Sequence, residues 1–158
     1  LAMLSLSTQG DPLLSIDERE MRRLSPSYTI DSVREIKQEI GAEPLVLAMG
    51  SDTASVFSSW RQADDYAKYC HIAVIQRPGH RASDWLNSVV ELGFEVASNP
   101  EQLAQCQSGQ VLDVGLKHLD ISSSDIRTRI QSGRSPRYLV KGAVEAYICD
   151  NALYVAPE

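Results

Sequence analysis

The segment Asp-Ile-Ser-Ser-Ser-Asp-Ile-Arg-Thr-Arg-Ile, residues 120–130, puts a serine cluster at the start of a helical pattern and an arginine one turn inside it. That combination can hold phosphate. Ser122, Ser123 and Ser124 suit an N-cap, so the open N–H groups and the positive dipole end of the helix would face an anion at its mouth. Arg127 follows Ser124 by three positions and falls on the same face. Ile126 and Ile130 are one turn apart and would point to the core, which leaves Ser124, Arg127 and Thr128 as the polar face. The same letters also read as a plain capped helix, because Ser122 and Asp125 have the spacing of a capping pair.

The elements that would carry such a site alternate along the chain. Leu13, Leu14 and Ile16 give a short strand signal after Asp11-Pro12, and a loop is expected through the charged residues Asp17 to Arg23. Ile30, Val33, Ile36 and Ile40 recur at helical spacing, with Gly41 as a stop. Leu45 to Met49 reads as a buried strand ending at Gly50, and a helical stretch follows through Phe57. His71 to Gln76 is the next strand. Residues 82–92 should be helical, Glu95 to Ala97 a strand, 100–107 a short helix, Val111 to Leu116 a strand and Ala143 to Asp150 the last helix. This order predicts an α/β fold in one domain. Its mainly parallel sheet would be flanked by helices, with ligands gathered beyond the carboxyl ends of the strands. Gly50-Ser51-Asp52, Arg77-Pro78-Gly79 and the segment after Leu116 fall at those ends.

Composition narrows the partners. A chain of 158 residues with 43% hydrophobic side chains can bury a core without disulfides. Cys70, Cys106 and Cys149 are odd in number and far apart, and they form no paired Cys/His spacing of the kind that binds zinc, so neither a disulfide framework nor a zinc site is indicated, and a reducing cytoplasmic setting is expected. The longest apolar run, Leu45 to Met49, is too short to span a bilayer, so no membrane partner is expected. A net charge of −6 argues against a nucleic-acid polymer. Arg127, Arg129, Arg134, Arg137 and Lys141 still form a local basic cluster, which favours a small phosphorylated ligand.

Taken together, SPSYTIDSV (25–33), GSD (50–52), the tryptophan of SSWRQ (58–62), QRPG (76–79) and ISSSDIRTRI (121–130) resemble one family, the bacterial nicotinate-nucleotide adenylyltransferases. The match runs in order from about Leu1 to Tyr154, including Tyr147-Ile148 and Leu153-Tyr154. The resemblance implies a Rossmann-like nucleotidyltransferase fold. It also implies transfer of AMP from ATP to nicotinate mononucleotide, giving nicotinate adenine dinucleotide and pyrophosphate in NAD synthesis, with Mg2+ accompanying ATP. Ser122, Ser123 and Ser124 would contact the ATP phosphates, and Arg127 would stabilise the leaving pyrophosphate as the catalytic group. Ser27, Tyr28 and Thr29 would offer backbone N–H groups to the nicotinate carboxylate, unless Ser27 or Thr29 only caps the helix. Trp60 would stack on the pyridinium ring, or be simple core. Asp52 would accept from ribose hydroxyls or cap the next helix, and Arg77 would lie over the nucleotide or have no ligand. No carboxylate cluster marks a metal site.

The family's GGxFDPxHxGH segment, whose histidines bind ATP phosphates, has no counterpart here: His71, His80 and His118 stand apart. An N-terminal βα portion on the order of 50 residues is therefore expected to lie outside this sequence. These 158 residues alone are expected to be inactive, with self-association covering any exposed core. Two other functions stay open. One is a sister enzyme using nicotinamide mononucleotide or another phosphorylated acceptor; the other is a noncatalytic nucleotide-binding fragment.

Overall fold

The computed structural model describes residues 1–76, 81–116 and 121–155. Their contacts divide the chain into two compact units, Arg19–His118 and a second made of Leu1–Glu18 with Leu119–Glu158.

The larger unit holds the sheet. Strands β1 (Val46–Gly50), β2 (His71–Ile75), β3 (Glu95–Ala97) and β4 (Gln110–Val114) lie in the order β1-β2-β4-β3, every pair parallel. Parallel pairing requires a crossover between successive strands. Short helices α4 (Ser51–Ala54), α5 (Leu86–Glu91) and α6 (Pro100–Leu103) supply these crossovers, with 3-10 turns at Phe57–Ser59, Ala63–Lys68 and Ala82–Asp84. The period-2 alternation of the strands sorts their side chains onto two faces. Ile72, Val74 and Val111 join Ile30, Val33, Phe57, Tyr66, Trp85, Val89 and Phe94 in the main core, while Leu112 and Ala97 pack with Leu103 of α6 in a smaller cluster. The register explains the sorting, because Ile72 faces Val111 and Ala97 faces Leu112. The expected mainly parallel α/β sheet is thus present.

Helix α3 (Thr29–Ile40) follows its apolar pattern, burying Ile30 and Val33, and stops at Gly41, whose φ of 64° and N–H bond to the Lys37 carbonyl (3.0 Å) close the last turn. Three expectations needed correction. Leu13 to Ile16 form no strand: the Asp11 carboxylate accepts from the Leu13 N–H at 3.0 Å, and this turn after Pro12 leaves Leu13 91% exposed. Within the expected loop 17–23, Arg19–Arg22 make one helical turn, α2. Arg19 is held there by Glu39 of α3 at 2.9 Å, a tertiary contact that no local pattern reveals. The Leu45–Met49 strand is only partly buried: Met49 joins the core, but β1 lies at the edge of the described sheet and Val46 is exposed.

His71 is fully buried, and its hydrogen bonds fix its tautomer. The Gln110 N–H donates to Nδ1 at 3.2 Å, so Nε2 carries the hydrogen and donates to the Cys106 carbonyl at 3.1 Å. The ring stitches the start of β2 to the start of β4. His71→Phe keeps the volume but strands both backbone groups, and an expected loss of about 1–3 kcal/mol should lower the urea midpoint at constant slope. A midpoint equal to the parent's would mean the stitch contributes nothing.

In the smaller unit, α1 (Ala2–Thr8) packs against α8 (Gly142–Asp150), and residues 132–141 link α7 (Ser123–Gln131) to α8. Ile126 and Ile130 are half-buried, and α7 has no fully buried residue, so its apolar face is less covered than the sequence predicts.

Candidate functional site

In the larger unit, a cavity of about 330 Å3 is lined by Ser27, Tyr28, Thr29, Ser59, Trp60, Arg61 and Tyr66. Three pieces of chain build it. The first is the start of α3, where Tyr28 is the N-cap residue in extended geometry (φ −117°, ψ 140°) and no side chain caps the helix. The capping alternative for Ser27 and Thr29 is therefore not realised; the Asp31 N–H turns back to the Tyr28 carbonyl at 3.0 Å and the Ile30 backbone hydrogen-bonds the Tyr66 hydroxyl, so the helix start offers a ligand its positive end and the Thr29 N–H. The second piece is Ser59 to Arg61, leaving the 3-10 turn at Phe57–Ser59. Trp60 is half-buried, with its ring edge-on to Phe57 at 5.3 Å and to Tyr66 at 6.0 Å. One part of the indole is thus anchored in the aromatic core while the residue still lines the cavity. Arg61 lays its guanidinium 4.4 Å from the centre of the Tyr28 ring.

Tyr66, on the Ala63–Lys68 turn, is the third piece. Burial pushes its phenol up to about 12, so it stays a neutral hydroxyl at physiological pH. Its turn is fastened to α3 by Arg34, whose guanidinium lies 2.7 Å from the Asp65 carboxylate and also donates to Gln62 at 3.0 Å. A hydrogen bond from Lys68 at 2.6 Å chiefly, and Arg34 beside it, hold the Asp65 carboxyl below the usual carboxylate range. An aromatic wall, a guanidinium and an uncapped helix start together suit a planar ring bearing a negative group.

Asp52 is exposed in the first turn of α4 and is not among the residues lining this cavity; the N-cap of α4 is Gly50, so Asp52 does not cap it. Arg77 lies outside the described residues, as do His80 and His118. Ser59, Arg61 and Tyr66 were missed by sequence reasoning. Arg61 could have been found from its place beside Trp60, whereas nothing local distinguishes Tyr66 from a core tyrosine.

The serine motif behaves partly as a cap. Ser122 is the N-cap of α7: its Oγ accepts from the Asp125 N–H at 3.0 Å and donates to Asp125 Oδ2 at 2.6 Å. Ser123, Ser124 and Arg127 are brought together as expected. Arg127 donates through Nε to the Ser123 carbonyl at 3.2 Å and through Nη2 to Ser124 Oγ at 3.4 Å, folding an exposed guanidinium over the first turn of its own helix. Ser123 and Arg127 also line a cavity of about 200 Å3 with Met3, Ile126, Val140, Val144, Ile148 and Tyr154. Asp125 faces a more polar cavity with Thr128, Arg129 and Arg134. Its carboxylate partly offsets the positive helix end, and Arg127 restores positive charge there. Among the described residues, no group of three or more His, Cys, Asp or Glu is placed to hold a metal ion.

Residues 1–129 match the cytidylyltransferase-like family. The chain is 36% identical over 140 residues to a protein of Marinobacter nauticus named probable nicotinate-nucleotide adenylyltransferase, covering 88% of this chain and 65% of that one. It is 36% identical over 157 residues to the protein of that name from Hahella chejuensis, and 37% identical over 160 residues to that of Pseudomonas putida, covering 99% of this chain and 72% of each relative. It thus spans about two thirds to three quarters of its relatives' lengths. The fold is also similar to the Plasmodium falciparum nicotinic acid mononucleotide adenylyltransferase complexed with NaAD, with a TM-score of 0.54 at 16% identity over 81% of this chain and 57% of that one. The same enzyme complexed with APC gives a TM-score of 0.56 at 15% identity, over 83% and 60% of the two chains.

Proposed function

The chain belongs to the cytidylyltransferase-like family, among the nicotinate-nucleotide adenylyltransferases, and on that premise we propose that it serves adenylyl transfer from ATP to nicotinate mononucleotide in NAD synthesis. A phosphate oxygen of the mononucleotide forms a bond to the α-phosphorus of ATP. The bond from that phosphorus to the bridging oxygen breaks, and pyrophosphate leaves with the electron pair. Positioning and fixed positive charge suffice for such a step, without a covalent enzyme intermediate.

The observation that carries this reading is the cavity of Ser27, Tyr28, Thr29 and Trp60. In it the nicotinate carboxylate meets the uncapped start of α3, and the cationic ring lies along the Trp60 indole. Arg61 adds positive charge at the same wall. Asp52 and Arg77 remain assigned to the ribose and the nucleotide from the family resemblance. Ser124 and Arg127, with Ser123 beside them, would take the ATP phosphates and the departing pyrophosphate. The Ser122 hydroxyl is occupied by Asp125, so its contribution is to hold the helix mouth in shape. A divalent cation accompanies ATP, taken to be Mg2+, and the phosphate oxygens would be its main ligands. No described helix is long and apolar enough to cross a membrane, and the three cysteines are free.

The uncapped helix start favours the acid over the sister reaction on nicotinamide mononucleotide, because a neutral amide gains much less from an N–H cradle than a carboxylate does. The full-length protein, given ATP and either mononucleotide, is expected to release pyrophosphate at least about tenfold faster per unit KM with the acid. Equal rates, or a preference for the amide, would move the assignment to the sister enzyme. Nucleotide binding without pyrophosphate release would mark a noncatalytic module.

A further inference from the structure

We propose that Arg23 is a positioning residue for the acceptor cavity and sets its affinity for the mononucleotide without touching it; this rests on the reading of that cavity given above. Residues 24–27 lead into α3 and make no backbone–backbone hydrogen bond among the described residues. Arg23 supplies what the backbone does not. One terminal nitrogen, Nη1, donates both to Ser27 Oγ, at the rim of the cavity, and to Ser32 Oγ, inside α3, the latter at 3.0 Å. The other, Nη2, lies 2.8 Å from Glu35 Oε2, an ion pair out of line for a hydrogen bond. Ser32 is 7% exposed, and its hydroxyl donates a hydrogen bond to Glu20 of α2 at 2.7 Å.

The Arg23 side chain is only 15% exposed, and its guanidinium spans the approach segment and the first two turns of α3. A planar fork can make these contacts together in a way an ammonium cannot. Its consequence is geometric: Ser27, Tyr28 and the first N–H groups of α3 keep one arrangement before any ligand arrives. Preorganisation of that kind appears as affinity, because the ordering cost is already met in the free protein.

Arg23→Ala is expected to weaken nicotinate mononucleotide binding about tenfold by calorimetry, the weight of one charge-assisted hydrogen bond, with ATP affinity unchanged. Amide resonances of Ser27 to Ile30 should shift and broaden in the ligand-free variant. Ser27→Ala in the Arg23→Ala background should add little, because the two residues act as one unit. Arg23→Lys keeps the charge beside Glu35 and guards against misfolding; it should melt like the parent and show a smaller, intermediate loss. Parent-like mononucleotide binding by Arg23→Ala overturns the inference alone. So does an equal fall in ATP and mononucleotide affinity, which would mark a merely structural role. A parent protein that does not bind the mononucleotide removes the cavity assignment and this inference with it.

Discussion

Arg127→Ala should lower kcat for adenylyl transfer by about 100- to 1000-fold, the usual cost of removing a group that meets charge developing in the transition state. Three observations separate that loss from any effect on folding. Arg127 is exposed at the mouth of α7, its bonds among the described residues go to Ser123 and Ser124 of its own first turn, and α7 has no fully buried residue for it to support. Folding should therefore be unaffected, and circular dichroism melting of the variant should overlay the parent's. Arg127→Lys should recover little, because a point charge does not reproduce the guanidinium fork on phosphate oxygens. Rapid-quench measurement of the chemical step in the full-length protein is the check. An unchanged kcat would remove Arg127 from the reaction.

The second large effect belongs to Trp60. Its substitution by alanine should weaken nicotinate mononucleotide by about 10- to 100-fold while ATP affinity holds, since a stacked cationic ring on a partly desolvated indole is worth about 1–3 kcal/mol. Some loss of stability will accompany it, because the indole edge packs on Phe57 and Tyr66. Trp60→Phe separates the two effects: it retains an aromatic edge for the core and a smaller face for the ligand, so its affinity should fall between parent and alanine variant. Calorimetric titration with each substrate makes the comparison. Equal mononucleotide affinity in parent and Trp60→Ala would end the stacking proposal.

Much of this arrangement was legible in the residues. Ile30 and Val33 with Gly41 defined α3 because an amphipathic period and a positive-φ stop are local facts. Ser122 and Asp125 announced a capped helix, and the structure shows the Ser122 cap, with the Asp125 carboxylate bonded to the Ser122 hydroxyl. What stayed hidden depends on long-range contact. The α2 turn exists because arginines find Glu35 and Glu39 across space, and Leu13 to Ile16 fail as a strand because Asp11 offers the backbone a turn instead. The cavity shows the same division. Ser27, Tyr28, Thr29 and Trp60 were named through the family resemblance; Arg61 stands beside Trp60 in sequence but shows its role through its stack on Tyr28, and Tyr66 enters through its place among aromatic rings, which no spacing encodes.

The central claim is that the uncapped start of α3 and the Trp60 face hold the nicotinate end of the acceptor. Amide and indole chemical shifts of the 15N-labelled protein, titrated with nicotinate mononucleotide and separately with nicotinamide mononucleotide, test it most directly. The acid should perturb Tyr28, Thr29, Ile30 and the Trp60 indole N–H in one saturable process, with the amide binding at least about tenfold more weakly. Equal affinities for the two, or shifts that leave residues 28–30 and Trp60 unmoved, would contradict the account.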